Sequence, residues 1–575
     1  MTCLLPNQFS DHLQNILEII STNPVTNVIS AAGTGKTTIL PKLISNSYRV
    51  IVIDHNETFK NFLHDIKVNN YDIIVIDEAD NLTLDQSLII LLAIRKNIKL
   101  LLLSAFPVET NLFDVVYYQI ETIKYPIEIR YSTEDLNKLV YDTFQEVEGD
   151  ILIFASDRSE INLLQQSLSI PTVELDQIDK GNDKKVVIAD KIAETSHLLP
   201  NVSVIIDLMK DVKKSLSLTG GTRYFKRYIT KKQAAIRASR GALTKSLLVY
   251  RMVTKEFFDK LRYDEEPEIL QTPVYNIMLE LIDNEINPFD ILDIYPRETL
   301  EYNYNLMIKL GVITPSNGPL GQTGQQISEI GNFIQSSPLG LRNSVALYRS
   351  PRTFEYIILI TMIDCYSKPY FTYPLREDGV SHADYTLELL EHYKTHFAPI
   401  EGKSDVHTYA NIWNLLNTDK PSPTEEELYE WCQDHAIRYE NMSEALSIAE
   451  DIIALTGHLM SSGGISNDLL NSDYDLKARQ GSSNILYEPF DVNNVMNVLA
   501  PILAEIYQDR KLSYDLSNII RVRYVGQDGK YYKIDSQTVN SIERDIPESI
   551  YGLITSTISS DYAPDFHTVA CSLVL

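Results

Sequence analysis

The run from Val25 to Ser30 is apolar and β-branched, and it breaks into Ala32-Gly33-Thr34-Gly35-Lys36-Thr37-Thr38 before an amphipathic stretch begins. A strand that ends in a glycine turn and re-enters as a helix commits the chain to a βα unit and hence to a parallel sheet. Glycines let the backbone curl so that successive N–H groups and the helix N-terminus face one point, which is an anion site suited to phosphates. Gly33, Thr34, Gly35 and Thr38 would line that loop, Lys36 would reach the β- and γ-phosphates of ATP, and the Thr37 hydroxyl would ligate Mg²⁺. Ser30 stands where the full pattern has its first glycine.

Further apolar runs follow at Arg49 to Asp54, Ile73 to Asp77, Lys99 to Ser104, Asp150 to Ala155, Val186 to Ala189 and Val202 to Asp207, separated by amphipathic segments. That alternation predicts two α/β lobes within the first ~250 residues. The third run delivers Asp77-Glu78-Ala79-Asp80 at its carboxyl end, where doubly wound sheets place their ligands. Asp77 would hold Mg²⁺, and Glu78 would orient and deprotonate an attacking water.

A chain of 575 residues is too long for one core, and beyond about residue 263 longer helical periodicities run to Ser461. Aromatic and β-branched residues return after Tyr487 around the turn signal Gly526-Gln527-Asp528-Gly529. No stretch approaches the ~18 uninterrupted apolar residues of a membrane span, so no membrane partner is expected. The N-terminal residues lack a basic segment followed by an apolar one, which predicts an intracellular protein, cytoplasmic or nuclear, or one carried in a virion. The four scattered cysteines form neither a disulfide framework nor a zinc pattern. The net charge of −27 confines any nucleic-acid contact to local basic surface.

Beyond these residues the chain resembles the DEAH/RHA family of RNA helicases. Leu103-Ser104-Ala105-Phe106 is similar to that family's third motif, Tyr125-Pro126-Ile127-Glu128-Ile129 to the stretch that follows it, and Gly149 to Phe154 to the start of the second lobe. Val187-Ile188-Ala189-Asp190-Lys191-Ile192-Ala193-Glu194-Thr195-Ser196 resembles the fifth motif, and Arg237-Ala238-Ser239-Arg240 the sixth, whose arginines stabilise charge on the γ-phosphoryl. Lys214 to Tyr228, centred on Gly220-Gly221, reads as a β-hairpin and sits where the family wedges one against nucleic acid. Pro267 to Ile313 resembles a winged helix, Ser404 to Thr408 with Trp413 and Trp431 a helical ratchet domain, and Tyr487 to Leu575 an OB-fold. On their own both tryptophans read first as core aromatics.

The resemblance implies a multidomain α/β protein: two RecA-like lobes at 1–132 and 133–262, a winged helix at 263–335, a ratchet domain at 336–480 and an OB-like β domain at 481–575. It implies ATP hydrolysis with Mg²⁺, 3′ to 5′ movement on single-stranded RNA, or on DNA, and activator or complex partners. Glu78, Arg237 and Arg240 would be the catalytic residues. The chain departs from the pattern at several points. Asp77 follows Lys36 by only 41 positions, Asp54-His55-Asn56 carries no arginine, Phe106 replaces a threonine, and Asp190-Lys191 replaces Thr-Asn. Aligned on Arg237 and Arg240, the sixth motif's glutamine falls on Ile236 and its last arginine on Leu243, so one of two expected arginine fingers is absent and slowed hydrolysis is predicted. The alternative is a degenerate nucleotide-binding subunit with a structural or regulatory role in a viral particle or transcription complex.

Overall fold

A computed structural model describes residues 8–31, 34–110, 112–120, 125–175, 184–194, 201–216, 220–240, 246–314, 326–351, 353–365, 405–421, 423–461, 489–514, 524–527, 531–534, 549–557 and 566–573. The first sheet joins β1 (Val25–Ile29), β2 (Val50–Ile53), β3 (Ile73–Ile76), β4 (Lys99–Ser104) and β5 (Val116–Gln119) in the order β2-β3-β4-β1-β5. Every pair in it is parallel. β1 and β3 are buried at each position, as expected of strands covered on both faces. On one face Ile73, Val75, Leu101 and Leu103 pack with Phe9, Ile16 and Ile20 of α1 (Gln8–Thr22) and with Leu40 and Ile44 of α2 (Leu40–Ile44). Helices α3 (Phe59–Val68) and α4 (Leu84–Arg95) pack against each other, and α4 opens with a reciprocal cap between Thr83 and Gln86.

The second sheet runs β6-β13-β10-β7-β9-β8, built from β6 (Ile127–Tyr131), β7 (Asp150–Phe154), β8 (Thr172–Glu174), β9 (Val186–Ala189), β10 (Val202–Asp207) and β13 (Leu247–Arg251). It too is parallel throughout. Alternate residues Ile151, Ile153, Val186, Ile188, Val204 and Ile206 pack with α5 (Leu136–Glu146) and α6 (Arg158–Ser167). Their neighbours Leu152, Phe154, Val187, Ala189 and Ile205 face Ala238 of α7 (Lys231–Ala238). Between β10 and α7, β11 (Lys210–Leu216) and β12 (Thr222–Tyr228) form a separate two-stranded sheet, the hairpin expected around Gly220.

All seven strands read from the sequence are present, and the domain boundaries need three corrections. β6 pairs with β13, so the first lobe ends before Ile127 and not at residue 132. The chain forms two compact units, and the first takes in residues from Tyr224–Thr272 and Asn284–Leu300 along with both lobes, which divides the segment 263–335. There Glu268 accepts the Leu84 N–H at 3.0 Å and Asp293 pairs with Arg95 at 2.6 Å, because α4 presents apolar side chains on nearly all sides and needs cover beyond its own sheet. Finally, residues 492–506, assigned to the terminal β domain, are a helix.

The second unit is helical and then β. Helix Phe354–Asp364 is buried at all but one position, and Trp413 lies against Phe354 with ring centroids 5.3 Å apart. Trp431 is buried and donates to Asp419 at 3.1 Å, so both tryptophans are core residues. The terminal strands β14 (Lys511–Tyr514), β15 (Tyr524–Gly526), β16 (Tyr531–Ile534), β17 (Ser549–Thr557) and β18 (Phe566–Leu573) close a barrel in the order β14-β15-β16-β18-β17. Only β16 and β18 pair in parallel. Among the described residues no helix is long and apolar enough to cross a membrane.

Candidate functional site

The order β3-β4-β1 sets three strand ends side by side, and the loop, the acids and Ala105-Phe106 leave the sheet from them. Ser30 N–H donates to the Ser104 carbonyl at 3.1 Å, the Ser30 hydroxyl lies 2.9 Å from that of Thr34, and Thr34 donates to the Ala31 carbonyl. Gly35 has φ +95°, and a Cβ there would lie 2.6 Å from Ile39 Cδ1, so the turn requires glycine. Lys36 Nζ donates to the carbonyls of Ser30 and Ala31, the latter at 3.1 Å. Thr37 and Thr38 are exposed at the loop's rim, and Gly33 lies outside the described residues. The helix expected to open directly from the loop begins only at Leu40, with residues 36–39 in turns. Pro41 explains the delay: it has no N–H to bond back to Thr37, so a helix can start at Pro41 more readily than run through it.

The acids are seated by main chain. Asp77 N–H donates to the Ile53 carbonyl at 2.8 Å, and Gln86, from the cap of α4, donates to the Asp77 carbonyl at 3.1 Å. Burial raises the Asp77 carboxyl above its ordinary range, against a hydrogen bond from the Thr37 hydroxyl and the charge of Lys36. A buried carboxylate joined to a hydroxyl at a phosphate loop is a donor pair suited to Mg²⁺, which takes one or two protein oxygens and completes its shell with phosphate and water. Among the described residues there is no group of three or more His, Cys, Asp or Glu side chains that could hold a metal ion. Glu78 has φ 54°, a left-handed conformation, and pairs with His55 at 3.1 Å. Asp80 accepts the N–H groups of Ala105, at 2.9 Å, and Phe106, at 2.8 Å, while burial raises its pKa.

Across the cleft, α7 is capped by Thr230, and the helix and the turn after it present three cations differently. Arg237 is fully buried, clasped by Glu194 at 2.7 Å and Asp207 at 2.8 Å and stacked over Phe154. Burial alone would lower its pKa, but the two carboxylates outweigh it and hold the guanidinium above its ordinary value. Arg237, expected at the γ-phosphoryl, is thus engaged inside its own lobe. Arg240 is the cation that looks across: burial lowers its pKa, and Glu194, Glu78 and Asp80 act against that by their charge. Its Nε is buried with no hydrogen-bond partner among the described residues. Lys232 pairs with Asp264 at 2.5 Å, and its charge also acts on Asp80.

Gln233 was overlooked in the sequence. It donates to Glu194 at 2.9 Å and to Asp211 at 3.0 Å, on the same helix face as Arg237 four residues on. Leu243, like Thr195 and Ser196, lies outside the described residues.

The fold and cleft define a two-lobed parallel-sheet protein with a phosphate-type loop in one lobe and a cationic helix facing it from the other. Its homologues are DEAH-box ATP-dependent RNA helicases. The chain is 23% identical to ATP-dependent RNA helicase DHX33 of Drosophila melanogaster over 76% of its own length and 67% of that protein's. It is 24% identical to an uncharacterized protein of Acanthamoeba polyphaga mimivirus, covering 53% of this chain and 39% of that one. No family model matches. Among solved structures, the E. coli DExH-box NTPase HrpB aligns over 100% of this chain and 69% of its own, with a TM-score of 0.46 and 15% identity.

Proposed function

We propose that this chain is an ATP-dependent RNA helicase or translocase. The observation that carries the reading is the shared cleft, with Lys36, Thr37, Asp77, Glu78 and Asp80 on one lobe and Arg240, whose Nε has no hydrogen-bond partner among the described residues, facing them from the other. Gly33, Thr34, Gly35, Lys36, Thr37 and Thr38 would cradle the phosphates of ATP, with Thr37 and Asp77 holding Mg²⁺. The cation would supply charge neutralisation between the β- and γ-phosphates. Glu78 takes a proton from the attacking water, and Arg240 balances charge on the transferring group. Arg237 acts by holding Glu194 and Asp207, which keeps α7 rigid behind Arg240. Closure of the lobes on ATP and their reopening would move single-stranded RNA in the 3′ to 5′ direction. The closed terminal barrel, with one parallel pair, supports an OB-like surface for that strand, and the helices before it a winged-helix and ratchet arrangement.

Steady-state ATP hydrolysis with and without single-stranded RNA tests this reading. Stimulation by RNA, abolished in both Lys36→Ala and Glu78→Gln, is the expected result. Nucleotide binding without turnover, lost only in Lys36→Ala, would favour a nucleotide-binding subunit of a larger assembly, the reading that the net charge of −27 supports.

A further inference from the structure

We propose that His55 is a positioning residue for Glu78, fixing the carboxylate that receives the proton of the attacking water; this rests on the role given to Glu78 above. β2 and β3 run parallel with Ile53 beside Ile76, and Asp77 N–H bonds the Ile53 carbonyl at 2.8 Å. The two segments therefore leave the sheet in step, and two residues further on His55 meets Glu78. The turn at His55 is shaped by Asp54, whose carboxylate accepts the Asn56 N–H at 2.8 Å and whose carbonyl accepts the Glu57 N–H at 3.3 Å.

His55 Nε2 lies 3.1 Å from Glu78 Oε2. A carboxylate only accepts, so Nε2 is the donor in this pair. Nδ1 is buried with no partner among the described residues, so the ring's one hydrogen bond is to Glu78. Glu78 needs such a restraint, since its backbone is left-handed at φ 54°, a conformation that crowds a Cβ. With Oε2 engaged, Oε1 is left to accept. The water O–H bond breaks toward Oε1 as oxygen bonds the γ-phosphorus and the β–γ bridge bond breaks, the electron pair leaving with the diphosphate. His55 neither gains nor loses a proton in this step.

The test compares His55→Ala, His55→Gln and Glu78→Gln in full-length protein, each by kcat, KM for ATP and melting temperature. Removing an orienting bond used in the transition state should lower kcat about tenfold or more and leave KM within about twofold. Glutamine can place an N–H where Nε2 stood, so His55→Gln should recover most of the loss, a rescue that a merely structural role would not show. Adding His55→Ala to Glu78→Gln should cause no further loss. Wild-type kcat in His55→Ala beside an inactive Glu78→Gln overturns this inference alone, as does a loss that glutamine fails to restore. Wild-type hydrolysis by Glu78→Gln overturns the role of Glu78 and the inference with it.

Discussion

The two lobes hold their halves of the cleft by different means. In the first, the acids and the loop are fixed mainly by peptide groups: Asp80 by two N–H donors, Asp77 through the Ile53 carbonyl, Ser30 through Ser104, with the Gln86 side chain adding one bond to the Asp77 carbonyl. In the second, a buried side-chain network does the holding, with Arg237, Gln233, Glu194, Asp207 and Asp211 bonded to one another. Backbone seating tolerates changes of side chain, because the donor survives the substitution. A buried network does not, because removing one member strands a charge.

That contrast can be broken or sharpened by four substitutions. Arg240→Ala should lower kcat ~10³-fold or more, as loss of an arginine that stabilises a transferring phosphoryl does. It should leave thermal stability unchanged, since burial already disfavours that charge. Arg237→Met should show the opposite pattern, losing about 3–5 kcal/mol of stability in chemical denaturation because Glu194 and Asp207 remain buried without their partner. Gly35→Ala, forced against both its positive φ and Ile39, should cost about 1–3 kcal/mol of strain, read as a lowered melting temperature together with weaker nucleotide binding. Phe106→Thr should alter stability by no more than about 0.5 kcal/mol, because Asp80 uses only the N–H at that position. A large loss there would show that the first lobe depends on side chains as the second does.

Much of the architecture is legible in the sequence because central parallel strands are continuous apolar runs: β1, β3, β7 and β9 are buried at every position. The strands that were missed lie at or near sheet margins. Tyr117 and Ile129 are exposed, so β5 and β6 carry no alternation to read, and overlooking β6 displaced the boundary between lobes. The loop and the acids are legible because local spacing defines them. The functions of Arg237 and Arg240 are not, since both look alike in a basic helix. Their difference comes from Glu194 and Asp207, supplied by segments 43 and 30 residues away. Pro41 was visible, and its effect on the start of the helix follows from the missing N–H alone.

Lys36 resting on the carbonyls of Ser30 and Ala31 has a consequence for binding thermodynamics. The loop's own ammonium is satisfied by the peptide groups that form the phosphate seat, so an incoming nucleotide competes with an intramolecular ligand present at fixed effective concentration. Apparent affinity then falls below intrinsic affinity by the fraction of molecules whose lysine has swung free. If residues 36–39 wind into helix as the phosphates dock, calorimetry would register that ordering as favourable enthalpy offset by lost entropy.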